Sequence, residues 1–459
     1  MTEILGREFP SDPRMAQGKK LILEAIAERS RRIIGITPSN EAALQAAAEK
    51  FAKVRGKEFF YPSIGSGIGN GPFVELADGS VKLDLIAGIG VHFFGHSDLD
   101  LISTSLDASA KDVVMQGNLL PNEEYYELLK ILLEHAPKRM KYGWLSLSGS
   151  MANENAIKII RQKKYPAYMI VTFDHAFAGR TSMMAEITDN PLNRVGLPVH
   201  GETLYVPFYD PSDPNSTAKS VSLLETFIRR YPGKIAAFLF ELIQGEGGFN
   251  VAPPAFFRAM MECCRKHDLV IWIDEVQTFG RTGELFATQK LELEEYADVI
   301  SIGKMLQNCA LLFSEELNPK PGLVVGTFAG STVSLSVGRR IVERLVTEGF
   351  FGPNGKISAV EKRVFGKLKE LQHTLPKGAI ADFGGMGGMI SVTPLDGSLE
   401  GVKEVVRESF NRGLLIWHCG HGPYKLRFLL PCGALTDQHI DLAMQLMGEA
   451  IEAVRQRRK

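Results

Sequence analysis

Four polar groups stand where apolar runs end, and their types suit chemistry on a carbonyl or an amine. Asp274 closes LVIWID, Lys304 follows DVISIG, Glu241 closes AFLFE, and Ser148-Gly149-Ser150 ends WLSLS and opens a helical pattern. Open α/β sheets bind ligands beyond the carboxyl ends of their strands, so chemistry is expected at these positions. A lysine in a closed, low-dielectric site has a depressed pKa and becomes nucleophilic, as Schiff-base formation requires. A carboxylate that follows five apolar residues needs a cation or a hydrogen bond. A protonated pyridine nitrogen would serve, and Asp274 would then keep such a ring an electron sink. Gln277, one turn further, is placed to reach a phenolic oxygen on that ring. The start of a helix offers free backbone N–H groups to a phosphate, and Gly149 lets an anion approach closely. Taken singly, each group has a plainer reading: a lysine snorkelling to water, a core aspartate satisfied by backbone, an ordinary N-cap. Only their combination and order favour a site.

The elements that must position these groups follow from hydrophobic periodicity. Residues 17–54 read as two helices separated by GITPSN, and FVELADGSVKLDL reads as a hairpin around Asp78-Gly79. Asn122 is a candidate cap for the helix NEEYYELLKILLEHA. From WLSLS onward, continuous apolar runs (YMIVTF, IAAFLFEL, LVIWID, DVISI, CALLF) alternate with helical patterns. Such runs are expected when both faces of a parallel sheet are covered, which places an α/β domain over residues 90–335. Residues 336–459 read as a smaller α+β domain, joined by the N-terminal segment 1–89.

These motifs together resemble the class III aminotransferases of the pyridoxal 5′-phosphate fold type I, such as the ornithine, acetylornithine, 4-aminobutyrate and lysine 6-aminotransferases. The resemblance runs from about residue 60 to 431 and rests on AGIGVHFFGH, SGSMANENAIKI, AFAGRT, ELIQGEGGFNVAP, WIDEVQTFGRTGELFA, SIGKM, VGTFAGS and KLRFLLP. It implies a large domain with a mostly parallel seven-stranded sheet, plus a smaller α+β domain. It implies pyridoxal 5′-phosphate carried by Lys304, which also moves the proton, with Asp274 on the pyridinium. Ser148, Gly149 and Ser150 would hold the phosphate, Phe177 and Ala178 would line the ring with Gln277, and Thr327 would reach the phosphate of a neighbouring subunit in a homodimer. Arg427 would bind a substrate carboxylate, Glu246 would pair with that arginine when an ω-amine is bound, and Arg180 would hold a second carboxylate. Ile89 stands where the ornithine enzyme has a substrate-contacting tyrosine, which argues against free ornithine. The implied reaction is a ping-pong transfer from an ω-amine or amino acid donor to a 2-oxo acid such as 2-oxoglutarate.

The chain also departs from the pattern. Met151 replaces a common Glu, Ala178 a His or Trp, and Leu242 a Pro; the DEVQTFGRTG loop is one residue short. MLQNCALLFS stands where a Gly-rich turn usually follows the lysine, and Asn-Pro is missing after Gly330. These changes surround the pocket and keep open another reaction on the same scaffold: racemisation, an aminomutase step, or a decarboxylating amino transfer. A catalytically silent binding protein is a further alternative, weakened by the presence of Lys304, Asp274 and Gln277 together.

Bulk properties exclude other classes. The 459 residues carry 52 Lys plus Arg against 53 Asp plus Glu, so no polyanion-binding surface and no nucleic-acid partner is expected. The five cysteines are not spaced as a disulfide framework, the N-terminus lacks an apolar signal core, and no run approaches a membrane span; a cytoplasmic protein is expected. Gly65-Ser66-Gly67-Ile68-Gly69 lacks a surrounding βαβ unit and reads as turn chemistry. His418-Cys419-Gly420-His421 reads as a loop and Cys263-Cys264 as helix packing, so no metal site is expected.

Overall fold

The computed structural model describes residues 4–112 and 115–459. The chain divides into two compact units, residues 112–353 and residues 1–111 with 354–459. The larger unit is built on strands β1 (Tyr142–Ser146), β2 (Met169–Phe173), β3 (Thr203–Val206), β4 (Ile235–Phe240), β5 (Val270–Glu275), β6 (Val299–Ile302) and β7 (Cys309–Phe313). They form one seven-stranded sheet in the order β1-β7-β6-β5-β4-β2-β3. Only β7 runs antiparallel to its neighbours. Every residue of β2, β4, β5, β6 and β7 is buried, which explains why these strands read as unbroken apolar runs rather than alternating ones.

The principal helices of this unit are α1 (Glu123–His135), α2 (Gly149–Lys164), α3 (Ser216–Arg230), α4 (Pro254–Lys266) and α5 (Thr332–Thr347). Ile157 and Ile160 of α2 share a core with Leu239, Trp272, Val299 and Leu311 of the sheet. The alternate residues of β4 meet α4: Phe240 stacks on Phe257 at 5.8 Å and 11°. Asn122 occupies the N-cap position of α1 without a side-chain capping bond. Its backbone N–H instead donates to Gln116 Oε1 at 3.0 Å, a partner that local pattern does not reveal.

The smaller unit has two four-stranded sheets. One orders the segments Gly65–Asn70, Phe73–Leu76, Val81–Asp84 and Leu414–Leu415; the other orders Ile380–Met386, Met389–Pro394, Lys425–Leu429 and Trp417–Cys419. The hairpin around Asp78-Gly79 is present. The GSGIG segment, expected as turn, is an irregular edge strand antiparallel to Phe73–Leu76. Its glycines forgo side-chain packing, which is why strand periodicity is invisible there. Among the described residues, no helix is long and apolar enough to cross a membrane.

Beside Asp274 at the end of β5, Glu275 is fully buried. It accepts from the N–H groups of Ala287 and Thr288 at 2.6 and 2.9 Å and from Thr288 Oγ1 at 2.9 Å. Burial pushes its carboxyl up to about 7. Replacing it by alanine strands these three buried donors, so Glu275→Ala is expected to cost about 3 kcal/mol. Denaturant unfolding of the variant checks this, and an unchanged midpoint would contradict it.

Candidate active site

Parallel pairing sets β4, β5 and β6 side by side with their carboxyl ends together: Ile273 is opposite Phe240, and Glu275 opposite Ile302. Glu241, Asp274 and Lys304 therefore emerge on one rim. The end of β1, with Ser148-Gly149-Ser150 after it, lies on the same rim because β1 and β6 are both antiparallel to β7.

Asp274 is only 6% exposed. Its Oδ2 accepts from Asn153 Nδ2 at 2.7 Å, and its Oδ1 accepts from the Val276 N–H at 2.9 Å. Burial raises its pKa; these two bonds and the charge of Lys304 act in the opposite direction. Asn153 is itself 1% exposed and also donates to the Ala178 carbonyl at 2.8 Å, so α2 fixes both the acid and the segment carrying Phe177. The asparagine is missed by motif reading alone. Its one signal is its place three residues after Ser150, on the same helix face.

Glu241 links two loops. Its Oε2 accepts from the Phe177 N–H at 3.1 Å and its Oε1 from the Gly245 N–H at 2.9 Å. Burial, and then the neighbouring Asp274 carboxylate, hold it well above the usual carboxylate range. The half-buried Phe177 is thereby anchored, with the Arg180 guanidinium 5.8 Å from its ring centroid and exposed. Ala178 is buried, its N–H donating to Thr188 Oγ1 at 3.0 Å. Glu246 is half-buried in the turn between Ile243–Gln244 and Asn250–Val251.

The phosphate-cup candidate begins α2. Ser148 is its N-cap, accepting from the Met151 N–H at 3.2 Å, and Ser150 Oγ accepts from the Arg180 N–H at 3.4 Å. A Cβ on Gly149 would lie 2.8 Å from Val276 Cγ1. On the other side of Val276, a Cβ on Gly303 would lie 3.3 Å from the same methyl and 2.6 Å from Cys309 Sγ. Val276 is thus wedged between the cup and the lysine turn, with Cys309 beneath; burial pushes that thiol up to about 12. Lys304 itself is half-buried with φ +47°, a left-handed conformation rare for a side-chain-bearing residue. The unusual stretch after it makes a tight turn in which Met305 and Leu306 are fully buried, and Gln307 N–H returns to the Lys304 carbonyl at 2.9 Å.

Thr327 is exposed, next to Gly326, whose carbonyl accepts from the Asn118 N–H. Ile89 and Arg427 belong to the smaller unit. Ile89 is half-buried in the Ala87–Gly90 turn at φ +61°. Asp84 Oδ1 accepts from the N–H groups of Ile86 and Ala87 just before it, and Asp84 Oδ2 lies 2.9 Å from His96 Nε2. Arg427, 2% exposed, lies mid-strand opposite Ser391 and Trp417.

The residues on the rim fit a protonated pyridine carrying a phosphate. Asp274 is a buried carboxyl group that, when ionised, suits a cation. The Gln277 Oε1 atom is buried without a hydrogen-bond partner, matching a ring hydroxyl. The first N–H groups of α2 suit a phosphate.

Comparison with known proteins agrees. The aminotransferase class-III family model matches residues 66–451. The acetylornithine aminotransferase of Caldanaerobacter subterraneus is 29% identical over 405 residues, covering 84% of this chain and 94% of the relative. The 5-aminovalerate aminotransferase of Pseudomonas aeruginosa is 26% identical over 434 residues, covering 91% and 99%. The lysine aminotransferase from M. tuberculosis superposes with a TM-score of 0.79 at 21% identity, covering 89% of this chain and 100% of that one. The chain belongs to the class-III aminotransferases. It is a pyridoxal 5′-phosphate-dependent transaminase of fold type I.

Asn153→Ala removes a bond to a buried charge, worth about 1.5–3 kcal/mol, so cofactor affinity is expected to fall roughly 10- to 100-fold. Titration of the cofactor-free variant with pyridoxal 5′-phosphate measures this, and unchanged affinity would contradict the assignment of Asn153.

Proposed function

We propose that this transaminase takes its amino group from a donor with a terminal amine and a distant carboxylate. The group passes to a 2-oxo acid such as 2-oxoglutarate in two alternating half-reactions. The observation that carries the site assignment is Asp274, buried and doubly hydrogen-bonded on the rim that bears Lys304. Similar proteins named for acetylornithine, for diaminobutyrate with 2-oxoglutarate, and for 5-aminovalerate support the substrate class.

Bound pyridoxal 5′-phosphate supplies a ring that accepts the negative charge developing at the substrate carbon. The residues of the chain have the remaining work. Lys304 Nζ would hold the cofactor covalently in the resting enzyme. Once freed, it removes the proton from the donor's amine-bearing carbon and later delivers one to the corresponding carbon of the acceptor. Asp274 would hold the proton on the ring nitrogen, while Asn153 and the Val276 N–H hold Asp274. Phe177 and Ala178 would line the ring, Gln277 would meet its hydroxyl, and Ser148, Gly149 and Ser150 would receive the phosphate. Arg427 takes the carboxylate of the 2-oxo acid. Arg180 takes the distant carboxylate of an ω-amine donor through charge-assisted pairing. Ile89 leaves no hydroxyl for a free α-amino group.

The enzyme works as a homodimer in which Thr327 serves the partner's phosphate. Exposed apolar side chains on the adjoining segments support this: Leu119, Leu120, Val325 and Phe328. Five buried, unbridged cysteines accord with a cytoplasmic setting.

The test is a half-reaction panel on the holoenzyme, followed by absorbance, with sedimentation of the same preparation. Donors bearing an ω-amine and a distant carboxylate are expected to convert the cofactor to its amine form on a dimer. Conversion only by α-amino acids lacking an ω-amine would overturn the donor class, and a monomer would overturn the shared site.

A further inference from the structure

At the opposite end of β5 from Asp274, a different set of side chains converges. Cys263 lies in the last turn of α4 and His267 caps that helix, two residues before Leu269 leads into the strand. Their spacing of four puts both on one helix face. Glu225 comes from α3, which packs against α4. The thiol sulfur, an imidazole nitrogen and a carboxylate oxygen all lie within 4.8 Å of one another.

We infer that Glu225, Cys263 and His267 form a binding site for a zinc-class divalent cation, with water as the fourth ligand. The donor set decides the metal. One sulfur, one imidazole nitrogen and one carboxylate oxygen suit tetrahedral Zn²⁺, whereas Mg²⁺ and Ca²⁺ favour oxygen donors. Bonds of about 2.0–2.3 Å place tetrahedral ligands roughly 3.3–3.8 Å apart, so closure asks for a contraction of about 1 Å. Glu225 can supply it, because its side chain is 36% exposed and its ion pairs are long: 3.7 Å to Lys266 and 4.0 Å to Arg229. Exposed pairs of this kind hold a side chain weakly. Cys263 is 6% exposed and forms no disulfide, so its sulfur faces its neighbours rather than bulk solvent. Coordination forms the metal–sulfur bond as the thiol proton leaves to water, and the ion then ties α3 to α4. The site lies apart from the cofactor rim, so its metal stabilises the larger unit without entering amino transfer.

The experiment uses the holoenzyme, first treated with chelator, then dialysed against ZnSO₄ and analysed for bound metal, with thermal unfolding recorded before and after. Cd²⁺ in place of Zn²⁺ reports sulfur ligation through its thiolate charge-transfer band in the ultraviolet. The wild type is expected to retain one zinc per chain, to unfold at a higher temperature with zinc, and to show the cadmium band. Cys263→Ser is expected to lose all three. His267→Gln, a half-buried position that leaves the core intact, is expected to lose the retained zinc and the thermal shift while keeping its transaminase rate. Failure of the wild type to retain zinc, or equal retention by His267→Gln, would overturn the site. Neither result bears on the cofactor rim.

Discussion

The proposed active site depends on holding an aspartate carboxyl group inside a sheet. Asp274 ends a strand with no solvent-exposed residue, in the middle of seven strands. A carboxylate there is costly unless it is hydrogen-bonded and faces a cation. Asn153 and the Val276 N–H supply the bonds. On the proposed assignment a pyridinium would supply the cation, and binding it would relieve the cost of burial. The same constraint explains why α2 must begin where it does. The helix whose first N–H groups would receive a phosphate also places Asn153, one turn along, against the acid proposed to meet the ring.

Two close contacts carry this arrangement to the rest of the rim. Val276 fills the space between Gly149 and Gly303, so the cup and the lysine turn are spaced by one side chain. Glu241 ties the Phe177 segment to the Gly245 loop through two N–H groups. Burial raises its pKa as it raises that of Asp274, and the Asp274 charge lifts Glu241 further. The turn after Lys304 is packed rather than Gly-rich: Met305, Leu306 and Cys309 are buried under a lysine held in a left-handed conformation. The MLQNCALLFS stretch therefore forms an apolar, packed floor for the lysine.

Much of this arrangement is legible in the amino-acid sequence. β4, β5 and β6 are buried on both faces, so their sequences are uninterrupted apolar runs, and the polar residue that ends each run marks the rim. Order along the chain and motif context then distinguish Asp274 and Lys304 from ordinary strand-end residues. What stays hidden depends on long-range geometry. Nothing local reveals that β7 turns back to lie between β1 and β6, or that Asn153 reaches a residue 121 positions away. The edge strand of GSGIG lacks the side chains that give strands their period, and Asn122 is held through its backbone by Gln116 instead of capping its helix. The cluster of Glu225, Cys263 and His267 is unreadable for the same reason, since one of its members lies on another helix.

The central claim is that Lys304 is the residue bonded to the cofactor in the resting enzyme. Borohydride reduction of the holoenzyme, followed by peptide mass mapping, tests it directly. The expected result is a single phosphopyridoxyl adduct on the peptide containing Ser301-Ile302-Gly303-Lys304, with none in Lys304→Ala. An adduct on another lysine, or persistence of the same adduct yield in Lys304→Ala, would contradict the account.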